Sequence, residues 1–142
     1  MRPVSLDRFV DAQHDTYDRA RAEIAAGSKR THWMWFIFPQ IAGLGSSPTA
    51  QHYAIRDLAE ARAYLAHPIL GPRLLDCATL LHDATKSATE IFGYPDDLKL
   101  CSSMTLFAAA ADDPAPFNQV ISHLCGDPDQ RTLEILRVRD KE

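Results

Sequence analysis

Apolar residues at Leu6, Phe9, Val10, Tyr17, Ala20 and Ile24 step by three and four, which predicts one face of a first helix. Ser5 is placed to cap its start, and Gly27 to end it in a left-handed turn. Gln13 interrupts the stripe, so it either sits at the core's edge or points a polar group inward. Asp57 with Glu60 resembles a capping box for a helix whose Leu58, Ala61 and Leu65 share a face. His67-Pro68 breaks it. Leu70, Leu74, Cys77 and Leu81 line the next helix, and Leu75, Ala78 and Leu80 broaden its apolar side. Ser87 and Glu90 form a second capping box before Ile91 and Phe92. Pro95 then starts a helix with Leu100, Met104, Phe107 and Ala111 as its inner stripe, stopped by Asp112-Asp113-Pro114. Phe117, Val120, Ile121 and Leu124 mark another, ending near Gly126. Asp127-Pro128 opens a short final helix through Leu133 and Leu136, and the charged tail from about Arg137 is expected to fray.

The run Trp33-Met34-Trp35-Phe36-Ile37-Phe38 has the propensity of a strand. No other segment offers it a partner, and a lone buried strand would leave backbone groups unpaired. A short helical or irregular segment plugged into the core is therefore predicted. Thr31 could cap it, and Pro39 ends it by restricting Phe38. Gly43-Leu44-Gly45-Ser46-Ser47-Pro48 reads as a turn opening a helix to about Ile55, with Ser47 as N-cap and Pro48 at the first position. The sum is an all-α, single compact domain over residues 1–142, of about six or seven helices with an aromatic core segment.

A chain of 142 residues buries roughly 68–70% of its unfolded surface, so it needs no metal or disulfide to be stable. A net charge of −4 gives no general attraction to phosphate backbones or anionic membranes. Nucleic-acid binding through Lys29, Arg30, Arg56, Arg62 and Arg73 is correspondingly disfavoured. Cys77, Cys101 and Cys125 make an odd count without CxxC, which reads as three reduced thiols in a cytoplasmic protein. Met1 to Asp7 lacks the apolar core of a signal peptide, and Trp33–Phe38 is too short to span a bilayer. The six histidines show no HExxH or similar spacing, so no metal site is predicted.

Three constellations carry candidate chemistry. The Gly43–Pro48 turn could present free N–H groups to a phosphate or carboxylate, although plain helix capping accounts for it as well. Asp96, Lys99 and Ser103 share one helix face, with Ser102 and Thr105 beside it, a pattern that a surface ion pair and back-bonded hydroxyls also produce. Lys29-Arg30-Thr31-His32-Trp33 puts two cations, an imidazole and an indole within five positions, which suits an anionic, ring-bearing ligand if a cleft lies beside them.

His32-Trp33-Met34-Trp35-Phe36-Ile37-Phe38-Pro39-Gln40, Gly43-Leu44-Gly45-Ser46-Ser47, Asp97-Leu98-Lys99-Leu100 and Ser102-Ser103-Met104-Thr105-Leu106-Phe107 together resemble the bacterial family called domain of unknown function 1810. The resemblance extends through Tyr53-Ala54-Ile55, His67-Pro68 and Leu70-Gly71-Pro72-Arg73-Leu74 and covers nearly the whole chain. It implies a compact, mainly helical domain and no established activity or cofactor. It also implies that Cys101, at a position commonly basic in the family, is not a shared nucleophile. The polar residues within these motifs exceed what packing requires.

The functional expectation is a small-molecule-binding protein, potentially an enzyme, for an anionic, nucleotide-like or phosphorylated ligand. His32 is the candidate acid or base, because imidazole titrates near neutrality. Trp33, Trp35, Gln40, Gly45, Ser46, Ser47, Asp97, Lys99, Ser103 and Thr105 are the candidate binding residues. The alternative is a protein–protein interaction module without catalytic activity.

Overall fold

The first departure from the expected pattern falls at His14. In the computed structural model, which describes residues 6–140, the opening stripe is two helices, α1 (Asp7–Gln13) and α2 (Tyr17–Ala26). Gln13 resolves its two alternatives by turning inward. It is almost fully buried, and its Nε2 donates to the Phe36 carbonyl at 2.7 Å and to Tyr64 Oη at 3.1 Å. The break lets the apolar faces on both sides of Gln13 reach one core while His14 and Asp15 stay in solvent. Gly27 ends α2 with φ 74°, as expected of a left-handed cap. Ser5 lies outside the described residues.

The aromatic run forms α3 (Met34–Ile37), a single turn, without a side-chain cap. Thr31 instead gives its hydroxyl proton to Glu23. Next come α4 (Pro48–His52), α5 (Leu58–Ala66), α6 (Leu70–His82), α7 (Ala88–Phe92), α8 (Asp96–Ala110), α9 (Ala115–Val120) and α10 (Gln130–Asp140). A π-helical turn, Ile121–Cys125, continues α9. The described residues therefore hold ten α-helices rather than six or seven, and no strand. The count rises because the opening stripe divides at His14 and because the short turns α3, α4 and α7 each stand as helices of their own.

The start signals act largely as predicted. Ser47 accepts from the Ala50 N–H, Asp57 from Glu60 N–H, and Ser87 with Glu90 makes a full reciprocal box. Glu60 differs by one position: its carboxylate reaches the Arg56 N–H at 2.7 Å rather than that of Asp57. α4 stops at His52, short of Ile55, because Ile55 pairs with Ile41 in an isolated parallel bridge. Gln40 O accepts from Ile55 N–H and Ile55 O from Ala42 N–H, both at 2.8 Å.

α8 is the axis of the molecule, packed by α5, α7, α9, α10 and α3. Phe9, Trp33, Phe38, Tyr64, Phe107 and Phe117 are fully buried in one continuous core. Helices crowd α8 on most sides, so Ser102, Ser103 and Thr105 are buried with the leucines. Ser102 and Thr105 donate to carbonyls one turn earlier. No helix among the described residues is long and apolar enough to cross a membrane.

One further expectation needs correction. Cys101 and Cys125 are joined by a disulfide, so the chain does not carry three reduced thiols; only Cys77 is free, and it is buried. Twenty-four residues separate the pair, and only folding brings α8 and the π-helical turn together, so spacing gave no sign of it. In the tail, α10 runs to Asp140. Arg139 holds it there, donating to the carbonyls of Arg56 and Ala42, each at 2.8 Å.

Candidate ligand site

Glu23 organises the approach to the aromatic segment. It sits on the buried side of α2, and its carboxylate accepts four hydrogen bonds: the N–H groups of Arg30 and Thr31, the Thr31 hydroxyl, and the Trp33 indole N–H at 2.9 Å. Burial works against the charge, but the donors from Arg30, Thr31 and Trp33 outweigh it and hold the pKa down at about 2. The buried indole thereby finds the acceptor it requires. Sequence reading passes Glu23 over. Its only signal is its place three residues after Ala20 and next to Ile24, inside the apolar stripe.

With Trp33 pinned, the preceding turn brings Lys29 against α8. Lys29 Nζ lies 3.0 Å from Asp96 Oδ2 and 5.2 Å from the centre of the Trp33 ring, with its side chain only 9% exposed. Lys99, one turn along α8 from Asp96, reaches the other carboxylate oxygen at 3.4 Å. Lys99 Nζ also stands 5.3 Å above the ring of Trp35, which is half-buried. Two ammonium groups thus share one carboxylate over two indole faces, an arrangement that favours cations by ring electrostatics as well as charge. Ser103 follows Lys99 by one further turn on the same face. Its Oγ is fully buried and is the one buried side-chain polar atom among the described residues without a hydrogen-bond partner.

The remaining sequence candidates fall in different places. His32 is exposed, immediately before Trp33. Asp97 turns from this cluster to α7, where Oδ2 accepts the Thr89 hydroxyl at 2.7 Å. Thr105 is committed elsewhere: it donates to Cys101 O and accepts from the Asp129 N–H at 2.9 Å, fixing the start of α10. Trp35, Gln40 and Gly45 do line one cavity with Tyr53 and Ala54, but its free space is about 10 Å3, room for one water at most. Gly45 is there for clearance, since an added Cβ would stand 2.6 Å from that of Ala50. Ser46 gives its carbonyl to Gln51 Nε2, and Ser47 caps α4. The glycine turn is thus a tight helix start beside the tryptophans. Among the described residues no three His, Cys, Asp or Glu side chains gather as a metal site.

Five helices packed on α8, with a tryptophan segment beside it and a lysine–indole cluster on its first turns, define the class: an all-helical domain. The chain belongs to the family described as "Protein of unknown function (DUF1810)", whose sequence profile matches residues 3–136. No curated protein matches it. Among solved structures it is similar to the conserved hypothetical protein Rv1873 from Mycobacterium tuberculosis, with 52% identity over 93% of this chain and 96% of that one, and a TM-score of 0.91. The family resemblance read from the tryptophan motif is thereby shown.

Proposed function

We propose that the protein binds a small anionic ligand with a flat ring, nucleotide-like or phosphorylated, at the cluster of Lys29, Trp33, Trp35, Asp96 and Lys99. The observation that carries this reading is the excess of cation over a shared carboxylate: two ammonium groups on Asp96, both held over indole faces. An incoming phosphate would replace Asp96 as the partner of Lys99, while its ring stacks on the open side of Trp35. The orphaned Ser103 hydroxyl supports the same reading, because a buried hydroxyl without a partner calls for a water or a ligand atom. His32, exposed at the same segment, would supply an acid or base if the ligand is also a substrate. A cytoplasmic location belongs to this proposal and is checked by cell fractionation.

Titration with adenosine monophosphate and with inorganic phosphate, followed by tryptophan fluorescence and thermal shift, tests it. The nucleotide should quench fluorescence and raise Tm, since a native-state ligand at a hundredfold its Kd adds about 2.7 kcal/mol. Lys99→Ala should weaken that binding at least tenfold with Tm nearly unchanged, because a part-exposed ion pair is worth about 0–1 kcal/mol. Lost stability with unaltered affinity would make Lys99 a structural residue and end the proposal.

A second reading, a protein-interaction module without catalysis, is favoured by Tyr94 and Leu98. They are 80% and 55% exposed, four residues apart at the start of α8. Under that reading neither nucleotide nor phosphate changes the fluorescence.

A further inference from the structure

Between Ile121, buried in the core, and Asp129, whose carboxylate caps α10 through Thr132, the chain is tied to the rest of the molecule by hydrogen bonds and one covalent link. Its π-helical turn is closed by the Gly126 N–H donating to Ile121 O at 2.8 Å. His123 Nε2 meets Ala84 O at 2.6 Å, and Asp129 N–H reaches Thr105 Oγ1 at 2.9 Å. The covalent link is the disulfide between Cys125, the last residue of the turn, and Cys101 on α8. Both cysteines are half-buried, whereas Cys77 is wholly enclosed. Burial, then the nearby Asp76 charge, pushes the Cys77 thiol up to about 12, which keeps it out of exchange chemistry. Under the latch, Phe107, Phe117, Val120 and Ile121 form apolar packing that does not depend on the sulfur bond. Ser122 and His123 face outward and form one wall of a cleft of about 570 Å3, opposite His82.

We propose that Cys101 and Cys125 form a reversible thiol–disulfide exchange site for a dithiol, and that reduction releases the 122–128 segment locally while the helical core stays folded. In the exchange, a reductant thiolate attacks one sulfur of the pair and the Cys101–Cys125 bond breaks. The second reductant thiol resolves the mixed disulfide. The reductant ends as its own disulfide, and its two electrons and two protons end on the two cysteine thiols. The wall carrying Ser122 and His123 then loses its anchor, so the cleft changes shape with redox state.

The test uses the full chain equilibrated in glutathione disulfide and, separately, in dithiothreitol. Counting thiols in the folded protein with N-ethylmaleimide should give none in the oxidised form and two in the reduced form, with Cys77 labelled only after denaturation. Amide hydrogen exchange at 122–128 should quicken at least tenfold on reduction, with α5 amides unchanged. The double variant Cys101→Ser, Cys125→Ser should match the reduced protein in both buffers. Two reactive thiols persisting in glutathione disulfide would overturn the proposal. So would exchange at 122–128 that ignores reduction, or acceleration spread equally over α5.

Discussion

Trp33 and Trp35 stand two residues apart on one turn, and their surroundings are opposite. Trp33 is fully buried, with its N–H on a carboxylate that serves three further donors. Trp35 is half-buried, makes no comparable bond, and carries the Lys99 ammonium over its ring. The first is saturated with partners, so its chemistry is spent on holding the chain. The second has a ring face and a cation that a new molecule can use. Two neighbouring residues of one type thus divide the labour, and the division is set by which side of α3 meets the Glu23 carboxylate.

Three substitutions or conditions probe this contrast. Trp33→Ala should cost the most, about 3–5 kcal/mol, a large share of the roughly 5–15 kcal/mol that holds a domain folded. A urea midpoint that barely moves would show that Trp33 is not an anchor. Acid comes next. Glu23 titrates at about 2 in the folded protein against 4.5 ordinarily, so the unfolded chain binds its proton more tightly. Its contribution is complete well above pH 4.5 and disappears as the pH falls towards 2, with an upper bound of about 3–4 kcal/mol. Urea melts from pH 7 to 2 should therefore be steeper for the native protein than for Glu23→Gln; parallel curves would remove the carboxylate from the anchor. Trp35→Ala should be mildest, under about 2 kcal/mol for a half-buried ring, yet should abolish the Tm rise given by adenosine monophosphate. Equal losses of stability at both tryptophans would erase the division.

The helices were legible wherever a local signal writes them. Ser47, Asp57 and Ser87 each cap the helix they predict, and Gly27 ends α2. Gln13 and Glu23 were harder, because an inward polar side chain depends on partners that arrive from residues 30–36 and 64. The pairing of Ile41 with Ile55 was invisible for the same reason: it is a single bridge with no strand on either side. For the candidate site, Lys29, Trp33, Trp35 and Lys99 were all singled out from the sequence, and the fold brings them together. Periodicity also placed Asp96 on the Lys99 face, whereas Asp97, singled out by the family motif, lies about 100° round the helix and turns to Thr89 instead. Thr105 was legible as a conspicuous polar residue, but not as the acceptor for a backbone amide 24 positions away.

The two carbonyls held by Arg139 belong to the chain on either side of the Ile41–Ile55 bridge. The final helix therefore serves as a drawstring, gathering a loop laid down nearly a hundred residues before it. The family's profile stops at residue 136, three positions short of that guanidinium. A fragment trimmed to the shared region would keep the motif and untie the knot, opening the ground beneath Trp35 and the glycine turn beside it.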